Sequence, residues 1–378
     1  MTKDAKISLI YCRSEEKVAD IFTKPLKPVS FLKLRDQLGL ATGTLRQFIT
    51  CKTKIQVLQN TRRSYTELHI PKEFNTNIVL LSEEHMRQIT SNCHHLESLK
   101  LCGFCGFCGF YRLHLTSPKC TRFELSNHTH PLDYKGDECY FEIVAPYVQH
   151  FRISGNFEGV GIRLGDLSSL IHADLTYNLY DFRELDDVID KSIVKYHFTS
   201  VACANELIIP SLYIEMISML ILQKEDVSLL LLEGKRLTIN SWISKYAFLG
   251  IDRLLSSTPC LEKLTIHLKV DCTFLNYWCE DMDELEDNYE NIFIIGSLRN
   301  LKILKVILQW SPLIEDDTTT ELTELMKCLF DHAKYLEKLV IVAENSDCSK
   351  VIQSLLALPR VSNSTVVVSL ESVAGVEY

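Results

Sequence analysis

Long apolar runs are what this sequence lacks first. Its most apolar stretch, IIPSLYIEMISMLIL, is interrupted by Pro210 and Glu215, so no segment reaches the eighteen or more apolar residues that cross a bilayer, and no membrane partner is expected. The opening MTKDAKISLI has no apolar run of signal-peptide length. The 14 cysteines are therefore expected as reduced thiols, and the protein is expected to be soluble in the cytoplasm or nucleus. On that reading the sequons NHT at Asn127 and NST at Asn363 stay unmodified. Nucleotide and hydrolase signatures are missing too: there is no GxxxxGK[ST], GxSxG or HExxH. The glycine-rich GVGIRLG at 159–165 misses the dinucleotide pattern and reads as a turn. Nothing in the body of the chain argues for catalysis or for a cofactor.

Positive charge is also scarce beyond the first 63 residues. The whole chain has a net charge of -9, yet residues 1–63 hold 13 Lys/Arg against 5 Asp/Glu, which makes that segment +8 and the remainder -17. A body of that sign repels phosphate backbones, so nucleic acid is not the expected partner. At 378 residues and 46% hydrophobic, the chain has ample material for a large core.

What is present is a repeat. An apolar residue, one intervening residue and a second apolar residue recur at Leu68/Ile70, Leu99/Leu101, Phe123/Leu125, Phe151/Ile153, Ala173/Leu175, Leu237/Ile239, Leu264/Ile266, Leu304/Val306 and Leu339/Ile341. All intervening residues but Val340 are polar, so each copy reads as a strand with one buried and one wet face. The copies start 31, 24, 28, 22, 64, 27, 40 and 35 residues apart, and the 64 leaves room for two weaker copies around YHFTSV and SMLIL. Helical stretches precede several strands: SEEHMRQITSNCHHLESLKL with Ser82 as an N-cap, LGIDRLLSSTPCLEKLTI and TELTELMKCLFDHAKYLEKLVI. Helix, turn and strand units near the leucine-rich-repeat period predict an α/β solenoid, a curved parallel sheet with outer helices. The alternative is an open α/β sandwich whose strands share the pattern by coincidence.

Two clusters invite a metal. In CGFCGFCGF, Cys102, Cys105 and Cys108 have the first spacings of an iron–sulfur run, but Arg112 stands where the fourth cysteine belongs. Zinc would need His94 or His95, which precede the strand that the cysteines follow, so the run reads first as an expanded loop. The acidic CEDMDELEDNYEN at 279–291 has neither calcium-loop spacing nor an internal glycine and reads as a solvated insertion between repeats.

Residues 7–40, ISLIYCRSEEKVADIFTKPLKPVSFLKLRDQLGL, closely resemble the end of the polyprotein of plant copia-type retrotransposons, the last strand and helix of its ribonuclease H domain. Asp20 matches the last of that family's four metal-binding acids. The other three have no counterpart in this sequence, so the resemblance implies a relic without activity. From about Tyr65 to Leu370 the chain resembles plant F-box proteins with leucine-rich repeats. LLSEEHMRQITSNCHHLESLKLCGF and LTINSWISKYAFLGIDRLLSSTPCLEKLTIHL carry the likeness, and HAKYLEKLVIVAENS with LLALPRVSNSTVVVSL is similar to the family's small C-terminal (FBD-like) module. The resemblance implies a protein target held by the repeats and, for the family, a Skp-type adaptor and cullin docked through an F-box. The F-box signature is not found in residues 1–64, where the retrotransposon-like segment stands.

The expected organisation is a retrotransposon-like fragment at 1–40, a linker at 41–64, the repeats at 65–310, and a last repeat with the C-terminal module at 311–378. The expected function is non-enzymatic protein binding. Its candidate residues are the polar positions of the open sheet face: Ser98, Lys100, Arg122, Glu124, His150, Arg152, His172, Asp174, Arg236, Thr238, Lys263, Thr265 and Lys305.

Overall fold

A computed structural model describes residues 73–77, 96–102, 112–127, 139–157, 160–178, 191–223, 229–269, 298–309, 316–343, 349–359 and 364–370. Its backbone is a 12-stranded parallel sheet. In spatial order it runs β1 (Glu73–Asn77), β2 (Ser98–Cys102), β4 (Arg122–Asn127), β6 (His150–Asn156), β8 (His172–Asp174), β10 (Glu206–Ile209), β11 (Arg236–Trp242), β12 (Lys263–Lys269), β13 (Ile303–Gln309), β14 (Lys338–Ala343) and β15 (Thr365–Leu370). The short β9 (Tyr177–Asn178) continues the line of β8 and pairs with the far end of β6.

Every expected apolar pair from Leu99/Leu101 to Leu339/Ile341 is buried to 3% exposure or less, whereas Leu68/Ile70 lies outside the described residues. A third apolar position, three residues before the first of each pair, closes the turn into the strand. Leu96, Cys120, Val148, Leu170, Ala204, Leu261, Leu301 and Leu336 occupy it, all buried. In the repeat before β11 that position is Gly234, where a Cβ would stand 2.9 Å from the Ala204 carbonyl oxygen of the preceding repeat. Strand starts are tied by one recurring bond pattern. The Glu97 carbonyl accepts the N–H groups of Thr121 and Arg122, the Thr121 carbonyl those of Gln149 and His150, and so on through Lys302, which accepts from Glu337 and Lys338. Each of these carbonyls thereby keeps a partner where the turn is buried.

Among the described residues, the expected outer helices are found in one half. Behind β2, β4 and β6 lies a second parallel sheet, β3 (Arg112–His114), β5 (Cys139–Val144) and β7 (Val160–Leu164). Its Leu113, Phe141, Ile143, Ile162 and Leu164 alternate with wetter residues and are buried, and they belong to one core with the inward pairs of the main sheet. The glycine-rich 159–165 is thus largely a strand, β7, rather than a turn. From residue 191 onward helices take over: α1 (Lys191–Val201), α2 (Ser211–Leu222), α3 (Lys245–Ser256), α4 (Asp316–His332) and α5 (Ser349–Ala357). The expected helices ahead of β12 and β14 are α3 and α4, with Ser244 capping α3 by accepting from the Ala247 N–H. The helix expected ahead of β2 lies outside the described residues.

Neither of the two weaker copies expected in the gap of 64 residues is a strand, and among the described residues the repeat strand there is β10. YHFTSV lies in α1 and SMLIL in α2. Both stretches bury apolar residues at helical spacing, Val194, Phe198 and Val201 in the first and Ile214, Ile217 and Leu220 in the second, which a search for alternation misreads.

At the joint between the two halves the exposed edge of the second sheet is finished by side chains of α1. His197 Nε2 lies 2.7 Å from the Ile162 carbonyl, and Ser200 Oγ donates to the Leu164 carbonyl. Because a carbonyl only accepts, His197 carries its proton on Nε2 and accepts at Nδ1 from the Tyr213 hydroxyl at 2.5 Å. Tyr213 in turn accepts from Tyr177 at 2.6 Å. All three side chains are buried, and burial lowers the His197 pKa to about 4 and raises that of both tyrosines.

Candidate interaction face

One face of the long sheet is filled by the core, and the other carries the polar positions. Register aligns the latter in rows. The first row runs Ser98, Arg122, His150, His172, Glu206, Arg236, Lys263, Ile303, Lys338, Thr365. The second runs Lys100, Glu124, Arg152, Asp174, Ile208, Thr238, Thr265, Lys305, Val340, Val367 along the same pairings. All thirteen candidate residues fall in these two rows, side by side. Glu206 and Ile208 were missed because their short strand hides between two helices, and Lys338, which precedes the pair Leu339/Ile341, stands in the same first row.

Across β2 to β11 most of the charges are paired with their neighbours. Lys100 Nζ is 2.6 Å from Glu124, Arg152 Nε is 3.3 Å from Asp174, and Glu206 stands between His172 (3.6 Å) and Arg236 (3.2 Å). Two candidates are nearly closed to solvent, Asp174 at 7% and Thr265 at 8% exposure. Asp174 is also committed locally: its Oδ1 accepts from the Thr176 N–H and hydroxyl, making the turn that separates β8 from β9. His150 is pushed below its ordinary pKa by partial burial and then by the positive charge of Arg122, so the row does not gain charge there at neutral pH.

The remaining expectations about sites fall as follows. Cys102 ends β2, while Cys105, Cys108, Asp20 and the acidic 279–291 lie outside the described residues. Among the described residues no group of three His, Cys, Asp or Glu is placed to hold a metal, and no helix is long and apolar enough to cross a membrane. Asn127, in the NHT sequon, is buried and donates from its side chain to the Asn156 carbonyl, which leaves no access for a glycan.

The architecture is an α/β fold with a long parallel sheet and few helices, compatible with a leucine-rich-repeat-like fold. The chain is similar to the F-box/LRR-repeat protein At3g03360 of Arabidopsis thaliana, 30% identical over 241 residues that cover 61% of this chain and 44% of the relative. It is 28% identical over 241 residues to F-box/LRR-repeat protein At5g02910 of the same plant (62% and 48%), and 26% over 214 residues to the putative F-box/LRR-repeat protein At5g02930 (55% and 44%). The chain spans less than half the length of these curated relatives. No protein-family model matches it, and no solved structure does.

Proposed function

We propose that the chain is a non-enzymatic protein-interaction module that holds a partner protein against the open face of its long sheet, in the cytoplasm or nucleus. The supporting observation is the division of the sheet: one face is consumed by the core, and the other presents rows of polar and charged side chains in strict register. Such a surface is wide and shallow, which suits a protein better than a small molecule. The names of the relatives, which join an F-box to leucine-rich repeats, agree with a binding role for the repeat part. Docking of a Skp-type adaptor and cullin is a separate clause of the proposal, to be decided by the same experiment. The runner-up, a ribonuclease H relic without activity, rests on residues 7–40 alone.

The test is affinity purification of the tagged full chain from plant cells, beside a variant carrying Arg152→Glu, Arg236→Glu, Lys263→Glu and Lys305→Glu. Loss of partners in the folded variant is the expected result, and an unchanged partner set would sink the reading. Recovery of a Skp-type adaptor with cullin extends the function to ubiquitin-ligase recruitment, and its absence restricts the chain to target binding.

A further inference from the structure

Charge is not shared evenly along the open face. On β2 to β10 the three cations Lys100, Arg122 and Arg152 share the face with three carboxylates, Glu124, Asp174 and Glu206, and Lys100 and Arg152 are ion-paired there. On β11 to β15 the open-face positions hold Arg236, Lys263, Lys269, Lys305 and Lys338 and no carboxylate. Lys263, Lys305 and Lys338 have no ion-pair partner among the described residues, while Arg236 is satisfied by Glu206. Nearby acids do not cancel them. Glu262, one residue ahead of the first row, is taken by Lys235 (3.1 Å) and Lys302 (3.5 Å). Glu215 of α2, hydrogen-bonded to the Trp242 side chain at the end of β11, is pushed up to about 7 by burial, which disfavours its charged form. Between the lysines stand apolar side chains that remain partly open, Ile303, Ile307, Val340 and Val367. A cationic and apolar surface has thus been kept on a chain whose net charge is -9.

We propose that this helix-backed half of the open face is the seat of the partner, and that it takes an extended protein segment in which carboxylates and apolar side chains take turns along one face, at every second residue. The inference rests on the open face being the interaction surface. Adjacent strands lie about 4.8 Å apart, so Lys263 and Lys338, two strands apart, are separated by about 10 Å along the row, with Lys305 on the strand between. An extended segment rising about 3.3 Å per residue turns every second side chain towards the sheet, so carboxylates four residues apart, about 13 Å, come within reach of these long ammonium side chains, and the apolar residue midway between them lies on the valines and isoleucines. A nucleic acid matches the lysines and leaves the apolar stripe unused. His267, whose pKa is lowered by burial and then by Lys305 and Lys269, sits in the same patch.

The experiment is fluorescence anisotropy on the full chain with labelled twelve-residue peptides, one repeating Glu-Ser-Leu-Ser and one repeating Gln-Ser-Leu-Ser, which when extended carry Glu or Gln and Leu on one face. The Glu peptide is expected to bind at least ten-fold tighter, to weaken as salt rises from 50 to 300 mM, and to lose at least ten-fold in Lys263→Glu/Lys305→Glu/Lys338→Glu. A sheet-backed variant, Arg122→Glu, is expected to stay within two-fold. Equal affinity for both peptides, or full affinity in the triple variant with an unchanged melting curve, overturns the proposal. So does tighter binding of duplex DNA or of phosphatidylserine vesicles in the same buffer. Cellular partners that survive the triple variant but are lost with Arg122→Glu sink this inference while sparing the interaction reading, and partners that survive both sink the two together.

Discussion

The repeat from Phe123 to Phe151 is 28 residues long and that from Leu237 to Leu264 is 27, yet the first is backed by a strand and the second by a helix. Length therefore does not choose the outer layer. In the first, Phe141 and Ile143 alternate with Tyr140 and Glu142 in a run rich in β-formers. In the second, Phe248, Ile251, Leu254 and Leu255 recur at helical spacing behind a serine cap. The main sheet accepts either backing because it demands only apolar atoms at one depth. The two halves also differ on the opposite face, where charges are neutralised in the sheet-backed part and left positive in the helix-backed part.

The sharpest way to break this comparison is to damage one half alone. Phe141→Ala, which empties the core between the two sheets, is expected to cost about 3–5 kcal/mol, with hydrogen exchange released across β3 to β7 before β12 to β14. Acid attacks the joint next. The folded pKa of His197, about 4, lies below its ordinary value near 6.5, so the unfolded chain binds the proton first. Its contribution is full above pH 6.5 and is lost as pH falls towards 4, on the order of 3 kcal/mol by urea titration at the two ends. His197→Gln is expected to flatten that slope. In the helix-backed half, Gly250→Ala places a Cβ 2.2 Å from the Ile214 carbonyl oxygen and forces α3 off α2, at about 1–3 kcal/mol by thermal melting. Smallest of all, a double-mutant cycle on Lys100 and Glu124 is expected to give less than about 1 kcal/mol, because both are partly exposed. A larger coupling would mean that the paired charges hold the sheet-backed half together.

Alternation was legible wherever the strand is flanked by polar residues, so eight buried pairs and the rows of the open face followed from the sequence. The joint was not, since Ile162, Tyr177, His197 and Tyr213 are scattered over 52 positions and meet only after the units stack. β10 escaped because ELII has four residues and lies close to helices as apolar as itself. The second sheet escaped because the expectation of helices was carried from the C-terminal repeats to the N-terminal ones. The local bonds of Asp174 were not legible either, because a turn-forming aspartate and a partner-facing one have the same address in a repeat.

Each main strand bonds chiefly to the strand of the next repeat in the chain, and the carbonyl pattern at the turns links the same neighbours. Contacts of this kind are short in sequence, so the chain can assemble by adding one coil at a time to a finished end, with little closure entropy per step. The same geometry makes loosening directional. A coil in the middle is held from both sides and one at either end from one side, so the molecule is expected to peel from its ends inward, and a partner gripped by β11 to β15 would act as a clasp on the later coils.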